Sequence, residues 1–300
     1  MSWIAVDWGS SNLRAWRMDG GEATAEASAT TGASALDPPE FEPALLAVVA
    51  PWLTSGQRTD VIVCGMAGAR GGWEEAPYAT VPCPPGPAAF ARPRTRDPRL
   101  SVRILPGLRQ DQPPDVMRGE ETQLAGLLAA EPRFDGVACL PGTHTKWVHL
   151  SASEVVSFAS YMTGELFALL ATQSVLRKTL ATDGWSAPDF LEAVDETLSR
   201  PERMAARLFP LRAEALLHGL PPERARARLS GLLIGAELAG ARPYWLGRDV
   251  VLIGADRLAH AYRDALAQAG LSARLLDATA MTRAGLAAAR ATLEAERSGA

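Results

Sequence analysis

The sequence predicts an α/β protein built as two similar halves with mixed sheets, and three observations point there. Trp3-Ile4-Ala5-Val6-Asp7 reads as a strand that passes through Trp8-Gly9-Ser10-Ser11-Asn12 into a returning strand at 13–18. The same shape recurs where Gly136-Val137-Ala138-Cys139-Leu140 runs through Pro141-Gly142-Thr143-His144-Thr145-Lys146 into a strand over 147–150. Each opening is followed by a third strand and then by alternating helices and strands, the order of a mixed-sheet α/β domain.

The elements follow in order. After strands at 3–7 and 13–18, Asp19-Gly20-Gly21 supplies a turn before a strand at 22–28. Apolar residues at helical spacing predict a helix from Glu40 to Leu53. A short buried strand over 60–64 empties into a glycine-rich stretch at 65–72. Pro82 to Pro93 is a proline-rich loop, and 102–105 is a further strand. A helix at 119–130 precedes the second half, with strands at 136–140, 146–150 and 154–160 and a helix from Gly164. An amphipathic helical insert covers 187–218 and a long helix 222–240. Strand 249–253, helix 257–269, strand 272–276 and a helix from 278 complete the chain. This order fits the duplicated actin/hexokinase-like (ribonuclease H-like) fold, with lobes at 1–130 and 131–300 and a nucleotide cleft between them.

Composition narrows the function. The net charge of −4 over 300 residues gives no basic stripe for nucleic acid. No apolar run approaches the ~20 residues needed to span a bilayer, and no secretory leader precedes the strand at Trp3. Three cysteines (Cys64, Cys83 and Cys139) without a CxxC spacing read as reduced thiols and not as a zinc site. A cytoplasmic protein is expected. Glycine and hydroxyl residues in both turns suit a phosphate clamp, since glycine lets backbone N–H groups approach phosphate oxygens closely. Only two of 30 basic residues are lysines, Lys146 and Lys178. A lysine kept in the second turn therefore suggests a need for a compact ammonium.

Six strings carry a resemblance: Asp7-Trp8-Gly9-Ser10-Ser11-Asn12-Leu13-Arg14; Gly65-Met66-Ala67-Gly68 with Gly72-Trp73 and Ala76-Pro77-Tyr78; Met117-Arg118-Gly119-Glu120-Glu121-Thr122-Gln123; Pro141 to Val148; Met162-Thr163-Gly164-Glu165-Leu166; and Ser230 to Glu237. Over residues 3 to 290 the chain resembles the 2-dehydro-3-deoxygalactonokinase family, sugar kinases of the actin/hexokinase superfamily. The resemblance implies ATP-dependent phosphorylation of the C6 hydroxyl of 2-dehydro-3-deoxy-D-galactonate. Its first lobe would carry most of the sugar-acid site and its second the adenosine site. Two other readings are a phosphohydrolase resembling exopolyphosphatases and a non-catalytic sugar-sensing regulator. Partners would be the sugar acid and ATP, without nucleic acid or membrane, and a homodimer is compatible with the sequence.

Phosphoryl transfer rests on positioning, charge neutralisation at the γ-phosphate, a metal ion and a proton acceptor. Asp7 is the candidate for holding Mg2+, a hard cation that favours oxygen ligands, against a plain turn-forming role. Gly9, Ser10 and Ser11 face ATP phosphate, with Asn12 toward sugar or phosphate oxygens. Gly142, Thr143, His144 and Lys146 form the second clamp, although His144 is equally a hydrogen-bonded turn residue. In similar kinases the catalytic base is a carboxylate opening the helix before the second loop, which points to Glu121, then Glu120, with Asp7 or Glu165 behind them. First-turn acids are also favoured by the helix dipole alone. Arg14, Arg70 and Arg118 are candidates for gripping the substrate carboxylate. Thr163 and Glu165 are expected as cleft residues, and Trp73 and Tyr78 as pocket walls or core. Gly235 and the pair Gly254-Ala255 are adenosine candidates, the latter because ligands gather outside the carboxyl ends of strands. Close helix packing explains Gly235 equally well.

Overall fold

Strand β1 (Ser2–Trp8) is buried on both faces, because Ile4, Val6 and Trp8 look to one side and Trp3 and Ala5 to the other. The computed structural model describes residues 2–86, 89–254 and 257–298. β2 (Leu13–Asp19) and β3 (Glu22–Ala29) return antiparallel from β1. β3 alternates exposed Glu22, Thr24, Glu26 and Ser28 with half-buried alanines, as an edge strand should. α1 (Phe41–Val49) lays Phe41, Leu45 and Val49 over the Ile4 face. β4 (Thr59–Gly65) runs parallel to β1. After β5 (Tyr78–Thr80), β6 (Leu100–Ile104) pairs parallel to β4 and completes the sheet β3-β2-β1-β4-β6. β7 (Gly107–Asp111) and β8 (Pro114–Met117) join β5 in a three-stranded sheet of order β5-β7-β8, and α2 (Glu120–Ala130) follows.

The second five-stranded sheet repeats the pattern. β9 (Gly136–Leu140), β10 (Thr145–Ser151) and β11 (Glu154–Tyr161) come first. α3 (Thr163–Thr172), α4 (Ala187–Ser199), α5 (Met204–His218), α6 (Pro222–Gly240) and the short α7 (Arg242–Trp245) are next. β12 (Val250–Ile253), α8 (Arg257–Gln268) and β13 (Arg274–Leu276) finish it, in order β11-β10-β9-β12-β13 with β12 parallel to β9 and β13. Val137, Cys139, Trp147, Val250 and Leu252 pack there with Phe190 and Val194 of α4, Ile234 and Leu238 of α6 and Tyr262 of α8. The predicted insert at 187–218 is two helices, broken where Pro201 ends α4.

The chain divides into two units: residues 1–134, 150–157 and 278–300 form one, and 135–149 with 158–277 the other. A single cut at residue 130 therefore misassigns the last helix. α9 (Ala278–Ser298) packs Leu286, Ala289 and Leu293 on the Trp3 face of the first sheet. It also crosses α2 at contact distance: a Cβ on Gly126 would lie 2.0 Å from the Met281 carbonyl, and one on Gly285 1.8 Å from that of Thr122. Only glycine at the crossing allows this approach. No helix among the described residues is long and apolar enough to cross a membrane.

Candidate active site

In the first unit, three segments converge at the carboxyl ends of β1 and β4. The β1–β2 turn is closed by Gly9 N–H to the Asn12 carbonyl (2.9 Å) and is buttressed by Ala33 and Ser34, whose N–H groups donate to the Gly9 and Ser10 carbonyls (2.9 and 3.1 Å). Ser10, Ser11 and Asn12 stay exposed. Gly65 at the end of β4 lies against both neighbours: its added Cβ would meet the Trp8 carbonyl at 2.5 Å, and one on Gly119 would meet the Gly65 Cα at 3.5 Å.

Pairing register puts Asp7 between Arg14 of β2 and Cys64 of β4. Its Oδ2 accepts from the Arg14 guanidinium at 2.6 Å and its Oδ1 from the Cys64 thiol at 3.8 Å. A second Arg14 nitrogen donates to Thr279 Oγ1 at 3.0 Å. Arg14 is thus committed to Asp7 and does not stand open to a substrate carboxylate. Burial first, then the Asp7 and Glu121 charges, push the Cys64 thiol well above its ordinary range, so it remains a neutral donor.

Glu121 lies 2% exposed in the first turn of α2. Its Oε2 accepts from Gly119 N–H at 2.6 Å, while Oε1 has the Thr122 hydroxyl at 3.2 Å. Burial, and then the charge of Glu120, push its pKa up to about 8. Glu120 is half-buried, and its Oε2 accepts from Arg118 N–H at 3.1 Å. Arg118 stacks over the Tyr78 ring at 4.2 Å and donates to the Ala76 carbonyl at 2.8 Å, which gives its guanidinium a packing role. Arg70 is exposed, with no hydrogen bond or ion pair among the described residues. Trp73 is core: it is 8% exposed and packs on Trp8 and Phe41 at 6.0 and 6.2 Å between ring centroids.

In the second unit, the β9–β10 turn meets the start of α3. Glu165 N–H donates to the Thr143 carbonyl at 3.0 Å, and a Cβ on Gly164 would lie 2.2 Å from the Gly142 carbonyl. The His144 Nε2 and Glu165 Oε2 are 2.5 Å apart, which unites two residues predicted separately. Gly142, Thr143, Thr163 and Gly164 line one side of a cavity of about 800 Å³, with Ser230, Leu233 and Ile234 of α6 and the first turns of α8 on the others.

Lys146 is not at this rim. It is 5% exposed, and its Nζ donates to Ser160 Oγ at 2.7 Å, because successive residues of β10 face opposite sides of the sheet. Gly235 also stands apart from the cavity wall. Its missing Cβ makes room for α4, where Val194 O and Thr197 Oγ1 would each be 2.4 Å away. Gly254 closes β12 with its N–H on the Leu276 carbonyl at 3.0 Å, and Ala255 lies outside the described residues.

One buried acid went unassigned in the sequence. Glu237 of α6 is 3% exposed, with Oε1 on Trp147 Nε1 at 2.8 Å, Oε2 on the Tyr262 hydroxyl at 2.6 Å and a further bond from Thr163. Tyr262 meets Thr145 at 2.9 Å, so the network ties β10, α3, α6 and α8 behind the cavity. Burial pushes the Glu237 pKa up to about 7 against these donors. A carboxylate on the apolar face of a helix was the signal for it, since such groups are almost never buried unpaired.

Among the described residues no group of three or more His, Cys, Asp or Glu side chains could hold a metal ion. The donor set still suits magnesium, which keeps several waters and takes one or two carboxylates with substrate phosphates. Asp7 Oδ1, facing only a thiol, is the oxygen available for that. The cavity volume lies within the range of small-molecule sites.

Residues 7–289 match the 2-keto-3-deoxy-galactonokinase family. A protein of Rhizobium meliloti (strain 1021), assigned as 2-dehydro-3-deoxygalactonokinase DgoK1, is 40% identical over 96% of each chain. The 2-dehydro-3-deoxygalactonokinase of Escherichia coli (strain K12) is 35% identical over 89% of this chain and 90% of its own. A crystal structure from Sinorhizobium meliloti with the same assignment superposes with a TM-score of 0.90 at 39% identity, over 97% of this chain and 99% of that one. The Acidaminococcus fermentans (R)-2-hydroxyglutaryl-CoA dehydratase component A, at 13% identity and a TM-score of 0.52, shares the fold alone. Two sheets of one strand order, glycine turns after β1 and β9, and a match along nearly the whole chain lead to one conclusion: this chain belongs to the 2-keto-3-deoxy-galactonokinase family of carbohydrate kinases, with the duplicated actin/hexokinase-like fold.

Proposed function

We propose that the protein transfers the γ-phosphoryl group of ATP to the C6 hydroxyl of 2-dehydro-3-deoxy-D-galactonate, giving the 6-phosphate, in the cytoplasm. The match of residues 7–289 to the family carries this reading.

The first unit supplies the acceptor chemistry. Glu121 takes the hydroxyl proton through Oε1, whose contact with the Thr122 hydroxyl is long at 3.2 Å. Its raised proton affinity suits a general base working near neutral pH. Glu120 accepts from the Arg118 N–H just ahead of the helix and, by its charge, helps to raise that affinity. Arg70, the arginine of this site without a partner among the described residues, grips the sugar-acid carboxylate; Arg14 instead neutralises Asp7. The exposed Ser10, Ser11 and Asn12 donate to phosphate and sugar oxygens. A magnesium ion held through Asp7 and water would neutralise charge on the transferring phosphoryl group. The second unit takes the nucleoside in the cavity beside Gly142 and Thr143.

The test is ADP release from Mg-ATP with the galactonate derivative, its C4 epimer, or no sugar. ADP formed with the galactonate derivative alone is the expected result. Hydrolysis independent of sugar would overturn it in favour of a phosphohydrolase.

A further inference from the structure

We propose that Glu165 is a positioning residue for the nucleotide phosphates, acting through His144, and not a sugar-acid contact. The inference rests on reading the cavity of the second unit as the nucleotide site. The Nε2 of His144 lies 2.5 Å from Glu165 Oε2, and an ionised carboxylate can only accept, so Nε2 carries the hydrogen. That bond fixes the ring orientation and leaves Nδ1 as the nitrogen available to a ligand.

Two backbone contacts hold the pair in place. Glu165 N–H is bonded to the Thr143 carbonyl at 3.0 Å, and Gly164 sits against the Gly142 carbonyl, where a Cβ would be 2.2 Å away. The turn and the first residues of α3 therefore move as one piece. Both side chains are accessible, at 46% for His144 and 37% for Glu165, while the flanking Gly142, Thr143 and Gly164 line the cavity.

The charge balance of the turn points the same way. Lys146 is buried on Ser160, so His144 is the residue of the turn that can present positive charge at the rim. With the ring doubly protonated, Nε2–H donates to Glu165 and Nδ1–H donates to a phosphate oxygen. Starting from the neutral ring, Nδ1 gains one proton from solvent as ATP binds, and no other bond forms or breaks.

Calorimetric titration of the intact enzyme with adenosine, ADP and ATP, in two buffers of different ionisation enthalpy, tests this. Wild-type protein is expected to take up a proton with ADP or ATP and none with adenosine. Glu165→Gln and His144→Asn should each weaken ATP binding roughly 10- to 100-fold, the scale of one charged hydrogen bond. Adenosine affinity should be unchanged, and the double variant no weaker than either single. Unchanged ATP affinity and proton uptake in Glu165→Gln, or a rise confined to its KM for the sugar acid, would overturn the proposal. Wild-type protein that binds neither adenosine nor ATP would instead remove the nucleotide site on which the proposal depends. Unchanged adenosine affinity also confirms that each variant is folded.

Discussion

Each unit sets a buried glutamate near its glycine turn, Glu121 in the first and Glu237 in the second, and they treat it differently. Glu237 receives three side-chain donors, from Trp147, Tyr262 and Thr163, and its pKa rises to about 7. Glu121 receives backbone N–H groups and a longer hydroxyl contact, has a second acid beside it, and rises to about 8. Both shifts start from burial, which disfavours the charged form; the donors decide how far it is offset. A carboxylate gripped by three side-chain donors is a brace, whereas one held by backbone N–H groups and a long hydroxyl contact is freer to work on a substrate. Asp7 is a third arrangement, its charge already met by Arg14 at 2.6 Å.

The largest effect that separates the two roles is on turnover. Glu121→Gln is expected to lower kcat about 10²- to 10⁴-fold, the usual contribution of a positioned base. The wild-type rate should climb with pH through about 8, as Glu121 ionises, and the variant should lack that limb. A limb that survives the substitution would pass the role to Glu120. Stability should move the other way. Glu121 has a folded pKa raised above the ordinary carboxylate value, so folded protein loses stability as pH rises between the two. Glu121→Gln should therefore melt higher than wild type at pH 8 and alike at pH 4.

Glu237→Leu sharpens the other half of the comparison. It strands the donors of Trp147, Tyr262 and Thr163 in a dry interior, at about 1–3 kcal/mol for each one left unpaired. A lower midpoint in urea should appear before any selective change in KM. An unaffected midpoint would show that the network braces nothing. The smallest effect is expected from Gly235→Ala, which forces α6 from α4 at about 1–3 kcal/mol. Adenosine affinity should hold below the melting temperature; its selective loss would return Gly235 to the nucleotide site.

Much of this was legible in the sequence. Both glycine turns, and the strand order around them, follow from apolar runs bounded by turn residues. The β5-β7-β8 sheet was not, because its strands have three to five residues and Pro113-Pro114 interrupts the pattern. Lys146 looked like part of the clamp because it sits in the right string, but alternation along β10 turns it to the other face. Trp73 stood among glycines and still entered the core with Trp8 and Phe41. Glu237 lay inside a motif, yet its partners Trp147 and Tyr262 are 90 and 25 residues away in the chain, a pairing that local pattern does not reveal. His144 and Glu165, 21 residues apart, meet only because Gly164 lets α3 start against the turn.

The last helix has a consequence for how the protein is made. α9 covers one face of the first sheet and grips α2, whose opening turn holds Glu120 and Glu121. On the ribosome, residues 135–149 and 158–277 of the second unit emerge while the sheet begun at Ser2 still lacks its cover. A nascent chain stopped before residue 278 leaves Trp3, Ala5 and Ile62 bare and α2 without its buttress. Closure of the first sheet and bracing of the α2 turn thus wait on the segment from residue 278, long after the strands it covers have been made.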